Sequence, residues 1–282
     1  MSKILEKRIL APAIYLMRLE ARDIAAKLAR QGAGAPGQFV ILRLSETGER
    51  FPLTIVDSDP ADGSVTIIFQ AVGSSTKELA ALEIGQEVLD VAGPLGTPMH
   101  IEKFGHVVCI GGGVGIAPAY PIAKGMKLAG NRVTSLISAR SADLLFFEEE
   151  MRQISDQVVV ATDDGTKGFH GFPTQILKQM IGKGEKIDLV LAVGPVPMIR
   201  AVAEVTRPYN IKTMVSLNPI MVDGTGMCGG CRVNVGGETK FACVDGPEFD
   251  GHLVDFDLLT KRLRTYIDYE KETECRLEQA SE

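Results

Sequence analysis

With 282 residues, of which 45% are apolar and 23% charged, the chain is expected to form one large or two medium globular domains. A net charge of −6 argues against a nucleic-acid partner, which would need a basic surface. The longest uncharged stretch, 107–123, is broken by glycines and prolines and falls short of the ~20 apolar residues that span a membrane. Residues 1–98 read as short strands (13–19, 39–44, 65–69) between turn-rich pieces, as in a small barrel or sandwich, with one short helix at 78–83. Residues 99–215 alternate strands and helices. Strands are expected at 107–110, 132–137, 158–161, 189–193 and 212–215, and helices at 119–129, 145–154, 173–180 and 197–206. That alternation predicts a doubly wound parallel sheet with helices on both faces. Residues 216–250 are rich in loops and glycine and hold most of the cysteines, and residues 251–282 read as a charged helical tail, helical over 258–279.

The cysteine segment carries the strongest chemical signal. Asp223 is followed by Cys228, Cys231 and, after eleven more residues, Cys243. Small glycines between them let backbone pass close to a metal centre, and iron–sulfur clusters take four ligands, usually thiolates. Asp223 stands five residues before Cys228, where a fourth ligand would belong. A zinc site is the competing reading, as is a fourth ligand elsewhere, with His252 and Cys275 as candidates. No basic segment followed by an apolar one opens the chain, so a cytoplasmic location is expected. There, clustered cysteines are metal ligands more often than disulfides. Cys109, inside an apolar strand, reads as core filling.

Further motifs fall at ends of expected strands. Gly111-Gly112-Gly113-Val114-Gly115-Ile116-Ala117-Pro118 lies between a strand and a helix, where glycines admit a pyrophosphate to the helix N-terminus. A tight turn with no ligand is the plain alternative. Gly194-Pro195-Val196-Pro197-Met198 repeats the strand–loop–helix setting at the same edge of the sheet. Asp163 and Asp164 also follow a strand there, either to bond cofactor hydroxyls or to cap a turn. In place of the usual ribose-binding acid, the second strand ends in Ser138-Ala139-Arg140, where the arginine would accept a 2′-phosphate, stack on adenine or pair with Asp143. In the first region, Arg50-Phe51-Pro52-Leu53-Thr54 pairs a cation with a hydroxyl suited to a phosphate or an aromatic ring system. Gly73-Ser74-Ser75-Thr76 offers N–H and O–H donors to an anion. Each of these two is also an ordinary strand end or turn. No Ser-His-Asp or H-E-x-x-H arrangement points to a hydrolase.

The order of these motifs resembles that of the ferredoxin–NADP reductase superfamily. The resemblance rests on Arg50-x-Pro52-Leu53-Thr54, Gly73 to Thr76, Gly113-x-Gly115-x-x-Pro118, and Gly194-Pro195-x-Pro197-Met198, and it runs over roughly residues 4–270. The cysteine loop narrows it to the branch containing the electron-transfer subunit of dihydroorotate dehydrogenase, whose first cluster ligand is a cysteine. Asp223 in that position is similar to a sister group, the small subunits of NADH-dependent reduced ferredoxin:NADP oxidoreductase.

The resemblance implies a Greek-key flavin-binding barrel at 1–98, a nicotinamide-binding α/β domain at 99–215, a [2Fe–2S] module at 216–250 and a helical tail at 251–282. Arg50, Pro52, Leu53, Thr54, Gly73, Ser74, Ser75 and Thr76 would hold FAD. Gly111, Gly112, Gly113, Gly115, Pro118, Arg140, Asp163, Asp164, Gly194, Pro195 and Met198 would place NAD(H), and Asp223, Cys228, Cys231 and Cys243 the cluster. Hydride would pass directly between nicotinamide and flavin, with no catalytic side chain. The implied partner is a larger subunit carrying flavin and [4Fe–4S] clusters that performs electron bifurcation. The competing functions are a dihydroorotate dehydrogenase subunit, a stand-alone flavoreductase and a zinc-stabilised nucleotide-binding regulator without redox chemistry.

Overall fold

A computed structural model describes residues 1–31 and 36–267. The first sheet holds β1 (Ser2–Ala11), β2 (Ile14–Glu20), β3 (Phe39–Arg43), β4 (Phe51–Asp59), β5 (Ser64–Gln70), β6 (Glu87–Val88) and β7 (Asp90–Leu95). Its antiparallel order is β6-β1-β2-β5-β4-β3-β7. The edge strands β6 and β7 are separated only by Leu89, so the sheet curls into a nearly closed barrel. Helix α1 (Arg22–Gln31) turns Ile24, Ala25 and Leu28 inward, and Leu28 and Leu79 join Met17, Leu42, Ile67 and Phe69 in the barrel core. The α1 segment carries four charged residues among its ten and no apolar run longer than three, which is why the sequence did not announce it. Helix α2 (Ser74–Ala81) begins four residues before the helix expected at 78–83. Gly73 to Thr76 is therefore a helix start and not an isolated turn. The Thr76 hydroxyl oxygen accepts from the N–H groups of Val72 and Gly73, each at 3.1 Å, which favours that early start.

The second sheet holds β8 (His106–Gly112), β9 (Arg132–Ala139), β10 (Gln157–Thr162), β11 (Phe169–His170), β12 (Leu189–Val193), β13 (Thr213–Ser216) and a late strand, β16 (Glu248–Asp250). Its order is β11-β10-β9-β8-β12-β13-β16, parallel throughout except for β16. Strands β8 and β12 are buried along their whole length, as central strands covered on both faces must be. Helices α3 (Ile116–Leu128) and α4 (Glu148–Ile154) lie in the apolar cluster on one face, which also takes in Leu16, Val56 and Ile68 of the barrel. Helices α5 (Pro173–Gly182) and α6 (Val196–Thr206) lie in the cluster on the other. Helix α4 starts three residues later than the pattern predicts. Phe147 takes a left-handed conformation (φ 59°), which a continuous helix excludes.

Between β13 and β16 the chain makes the cysteine loop and the hairpin β14 (Arg232–Val235) and β15 (Glu238–Phe241). Helix α7 (Phe256–Leu263) follows, capped by the Asp255 carboxylate, which accepts from Leu258 N–H at 2.9 Å. Residues 264–266 form a turn, so the helix breaks where the pattern predicts it to continue, and positions 268–279 of the expected 258–279 helix, with Cys275, lie beyond the described residues. Among the described residues no helix is long and apolar enough to cross a membrane.

Candidate functional site

The barrel and the carboxyl ends of the parallel strands face each other across a cleft of about 900 Å³. On the barrel side it is walled by Phe39, Pro52, Leu53, Thr54, Phe69 and Thr76. On the sheet side it is walled by Gly112, Gly113, Gly115 and Pro118, by Ser138 to Arg140 and Asp163, and by Gly194, Pro195 and Met198. Most of the motif residues thus converge on one site, although they come from two sheets far apart in sequence. Ligand crevices of α/β sheets lie at this edge, where the strand order reverses.

The glycines have distinct tasks. A Cβ on Gly115 would run into the Val193 carbonyl, so its absence lets the start of α3 seat against β12. Gly113 (φ 56°) has open space where a side chain would stand, leaving bare backbone towards the cleft at the N-terminal end of α3. Gly111 does not line the cleft; a Cβ there would lie 2.8 Å from Ile116 Cα, so it serves packing. The two acids after β10 also divide. Asp163 lines the cleft, whereas the Asp164 carboxylate accepts from the Thr166 hydroxyl at 2.6 Å and its N–H at 3.0 Å. Those bonds hold Asp164 below the usual carboxylate range and close the turn.

Four other expected residues stand outside the cleft. Gly73, Ser74 and Ser75 flank it at the start of α2, and the Ser75 hydroxyl donates to Glu49 at 3.0 Å. Arg50 lines a separate hollow of about 510 Å³ with Arg43, Asp90, Asp223 and Thr225. Arg50 lies just before β4 begins at Phe51, so the strand that carries Pro52, Leu53 and Thr54 into the cleft does not direct its side chain, which their closeness in sequence concealed. In turn, the pattern missed Phe39, Phe69, Asn218, Met221 and Phe172, which complete the cleft wall. They are apolar or amide residues without a motif, and only the fold brings them there.

The cysteine loop packs against both sheets. A Cβ on Gly224 would lie 2.7 Å from Leu95 and 2.8 Å from Ile41, so the loop rests directly on β3 and β7. Thr97 N–H and its hydroxyl donate to the carbonyls of Gly246 and Val244, both at 2.7 Å, tying the barrel to the far end of the loop. Cys231 and Cys243 are buried in the core cluster that also holds Phe39, Ala192 and Leu217. Their sulfurs are 3.1 Å apart, well beyond the ~2.05 Å of a disulfide, and both are free thiols. Burial, reinforced by Cys231, pushes the Cys243 thiol up to about 12. Two buried sulfurs in contact form a soft donor pair, which a metal stabilises as thiolates.

Cys228 is exposed at the loop tip. Its N–H donates to the Asp223 carboxylate at 2.8 Å, and Thr225 N–H donates at 2.9 Å. These bonds, that from Thr225 foremost, hold Asp223 below the usual carboxylate range. The Cys231 and Cys243 sulfurs thus touch, whereas Asp223 meets Cys228 through the backbone N–H. Among the described residues no three His, Cys, Asp or Glu side chains gather as they would around a single ion. His252 is engaged elsewhere, with Nε2 2.9 Å from the Thr206 hydroxyl.

Comparison with known proteins follows the same lines. Residues 218–255 match the family model described as the iron–sulfur cluster binding domain of dihydroorotate dehydrogenase B. A Thermotoga maritima protein named as a homolog of the dihydroorotate dehydrogenase B (NAD(+)) electron transfer subunit is 50% identical over 84% of this chain and 83% of its own. The chain belongs to the family of dihydroorotate dehydrogenase B electron-transfer subunits and their homologues. As a member of that family it is an oxidoreductase subunit. An uncharacterised Clostridium beijerinckii protein is 44% identical over 100% of this chain and 96% of its own. Among solved structures, a chain of the NADH-dependent reduced ferredoxin-NADP oxidoreductase, studied for flavin-based electron bifurcation, superposes with a TM-score of 0.91 at 43% identity, covering 98% of both chains. A cytochrome P450 reductase from Amycolatopsis (TM-score 0.59, 21% identity) shares the ferredoxin reductase-like fold.

Proposed function

We propose that this electron-transfer subunit passes electrons between NAD(H), FAD and a [2Fe–2S] cluster and exchanges them with a larger subunit carrying flavin and [4Fe–4S] clusters. The assembly is of the NADH-dependent reduced ferredoxin:NADP oxidoreductase type, working in the cytoplasm, where thiol ligands stay reduced. The observation that carries this reading is the likeness over 98% of both chains to a subunit of that oxidoreductase, at 43% identity. Asp223 at the first ligand position supports it over a dihydroorotate-oxidising complex, whose subunit has cysteine there.

Bound flavin supplies the conversion between two-electron hydride and single electrons, which a cluster needs. The chain's own residues position and enclose. Pro52, Leu53, Thr54 and Thr76 would hold the flavin against Phe39 and Phe69, and these apolar walls keep water from the reacting face. Gly112, Gly113, Gly115 and Gly194 would let nicotinamide phosphates approach the backbone, with Arg140 and Asp163 at the ribose end. Asp223, Cys228, Cys231 and Cys243 would hold the cluster. Around exposed Cys228 stand Met227, Val222 and Val244, exposed by 89%, 48% and 45%, an apolar rim suited to a protein partner at the electron exit.

An anaerobic absorption spectrum of the purified chain, with iron, sulfide and flavin analysis, tests this. About two irons, two sulfides and one flavin per chain are expected. A colourless protein containing zinc would sink the reading.

A further inference from the structure

One group just behind the cleft wall has no part in the function above. Glu248 lies on β16, and its carboxyl accepts from the Ser216 hydroxyl of β13 at 3.2 Å. Ser216 and the preceding residue, Pro247, both line the cleft. Part of the residue's surface is open, but Oε2 is closed off from solvent and has no hydrogen-bond partner. The other enclosed side-chain acceptor without a partner among the described residues is Gln38 Oε1. A Cβ on Gly37, next to Gln38 in the chain, would lie 2.5 Å from Glu248 Oε2, so backbone closes over that oxygen. Gln38 Nε2 donates away from it, to the Gly96 carbonyl at 2.9 Å. An ionised oxygen closed off without a partner is disfavoured by its lost solvation, and a proton on the carboxyl removes its charge.

The groups facing Glu248 are the Ser216 hydroxyl from β13 and neutral Gly37 from the segment entering β3, and no charged side chain contributes to its titration. Burial therefore pushes the carboxyl up to about 8, although the Ser216 hydroxyl favours the ionised form. The pocket sits where barrel, parallel sheet and cysteine module meet, five residues past Cys243.

We propose that Glu248, held by Ser216, is a proton site just behind the cleft wall that loads when electrons enter the cleft. It rests on the reading of the cleft as a redox site. Hydride brings two electrons and one proton and so leaves one net negative charge in the cleft. An ionised Glu248 would face that charge, and like charges disfavour each other's ionised forms. The site answers by binding one proton: an O–H bond forms at Glu248, the proton arrives from solvent, and oxidation in the cleft releases it.

The test is infrared spectroscopy of the loaded full-length chain before and after reduction with dithionite, at roughly pH 6 and pH 9, on either side of the transition. At the lower pH a protonated-carboxyl band is expected in both states. At the higher pH it is expected only after reduction, and Glu248→Gln lacks it throughout. Ser216→Ala, which removes a bond to the ionised form, moves the band's pH midpoint upwards and keeps the proposal testable if Glu248→Gln does not fold. A band missing at the lower pH, unchanged by reduction at the higher pH, or retained in Glu248→Gln overturns the proposal. An unmoved midpoint in Ser216→Ala does the same. A chain without flavin overturns the functional reading and the redox link, and it does so by its visible spectrum, before any infrared result.

Discussion

Asp223 concentrates the question of what a single residue decides here. Its carboxylate is oriented by N–H groups of Thr225 and Cys228, the kind of fixed geometry that a metal ligand needs. Replacing a hard oxygen by a soft thiolate changes the electron density on iron. Asp223→Cys is therefore expected to keep a cluster, with a shifted reduction potential and an altered EPR spectrum. Potentiometry with EPR checks this, and identical spectra and potential would remove Asp223 from the ligand set. An iron–sulfur module in this segment was legible because ligand chemistry is written in residue type and spacing. Glu248 was not, because nothing in its flanking residues marks it. Its enclosure comes from Ser216 and Gly37, which lie 32 and 211 positions away.

At the scale of elements, the turn from β8 into α3 carries most of the nicotinamide edge. Gly115 needs no unusual backbone angle there; what it needs is the absence of a Cβ against the Val193 carbonyl. Gly115→Ala forces α3 and β12 apart, which should destabilise the chain by about 1–3 kcal/mol. The same shift should raise the NADH concentration needed to reduce the flavin. Thermal unfolding and an NADH titration measure the two effects, and an unchanged melting temperature would show that the turn relaxes freely. The strand–helix alternation of this region was readable because buried parallel strands are continuous apolar runs. Elements that escaped are the short or polar ones. β16 has three residues, and α1 hides its apolar face among charges. Phe147, whose left-handed turn delays α4, leaves no pattern at all.

For the whole molecule, one chain that holds a flavin cleft, a nicotinamide edge and a cluster loop should work as a relay and not as a complete catalyst. Mixed anaerobically with NADH, the isolated chain is expected to bleach its flavin once and stop. Stopped-flow absorbance should show NADH acting faster than NADPH, whose extra phosphate would meet Asp163. Sustained turnover with a soluble acceptor and no partner would make it a stand-alone reductase, and faster reduction by NADPH would reverse the assignment of the ribose end.

By itself the sequence determined the chemistry. Residue type and spacing name ligands, phosphate-binding turns and the strand–helix rhythm, since these depend on near neighbours and on hydrophobic period. Only the tertiary structure decided which of these residues meet. It turned Pro52 and Thr54 towards the glycine turns while Arg50 went to the basin beside Asp223. It seated the cysteine loop on β3 and β7, and it enclosed the Glu248 carboxyl between barrel and sheet. Side-chain direction and enclosure arise from packing between segments distant along the chain, and no local pattern encodes them.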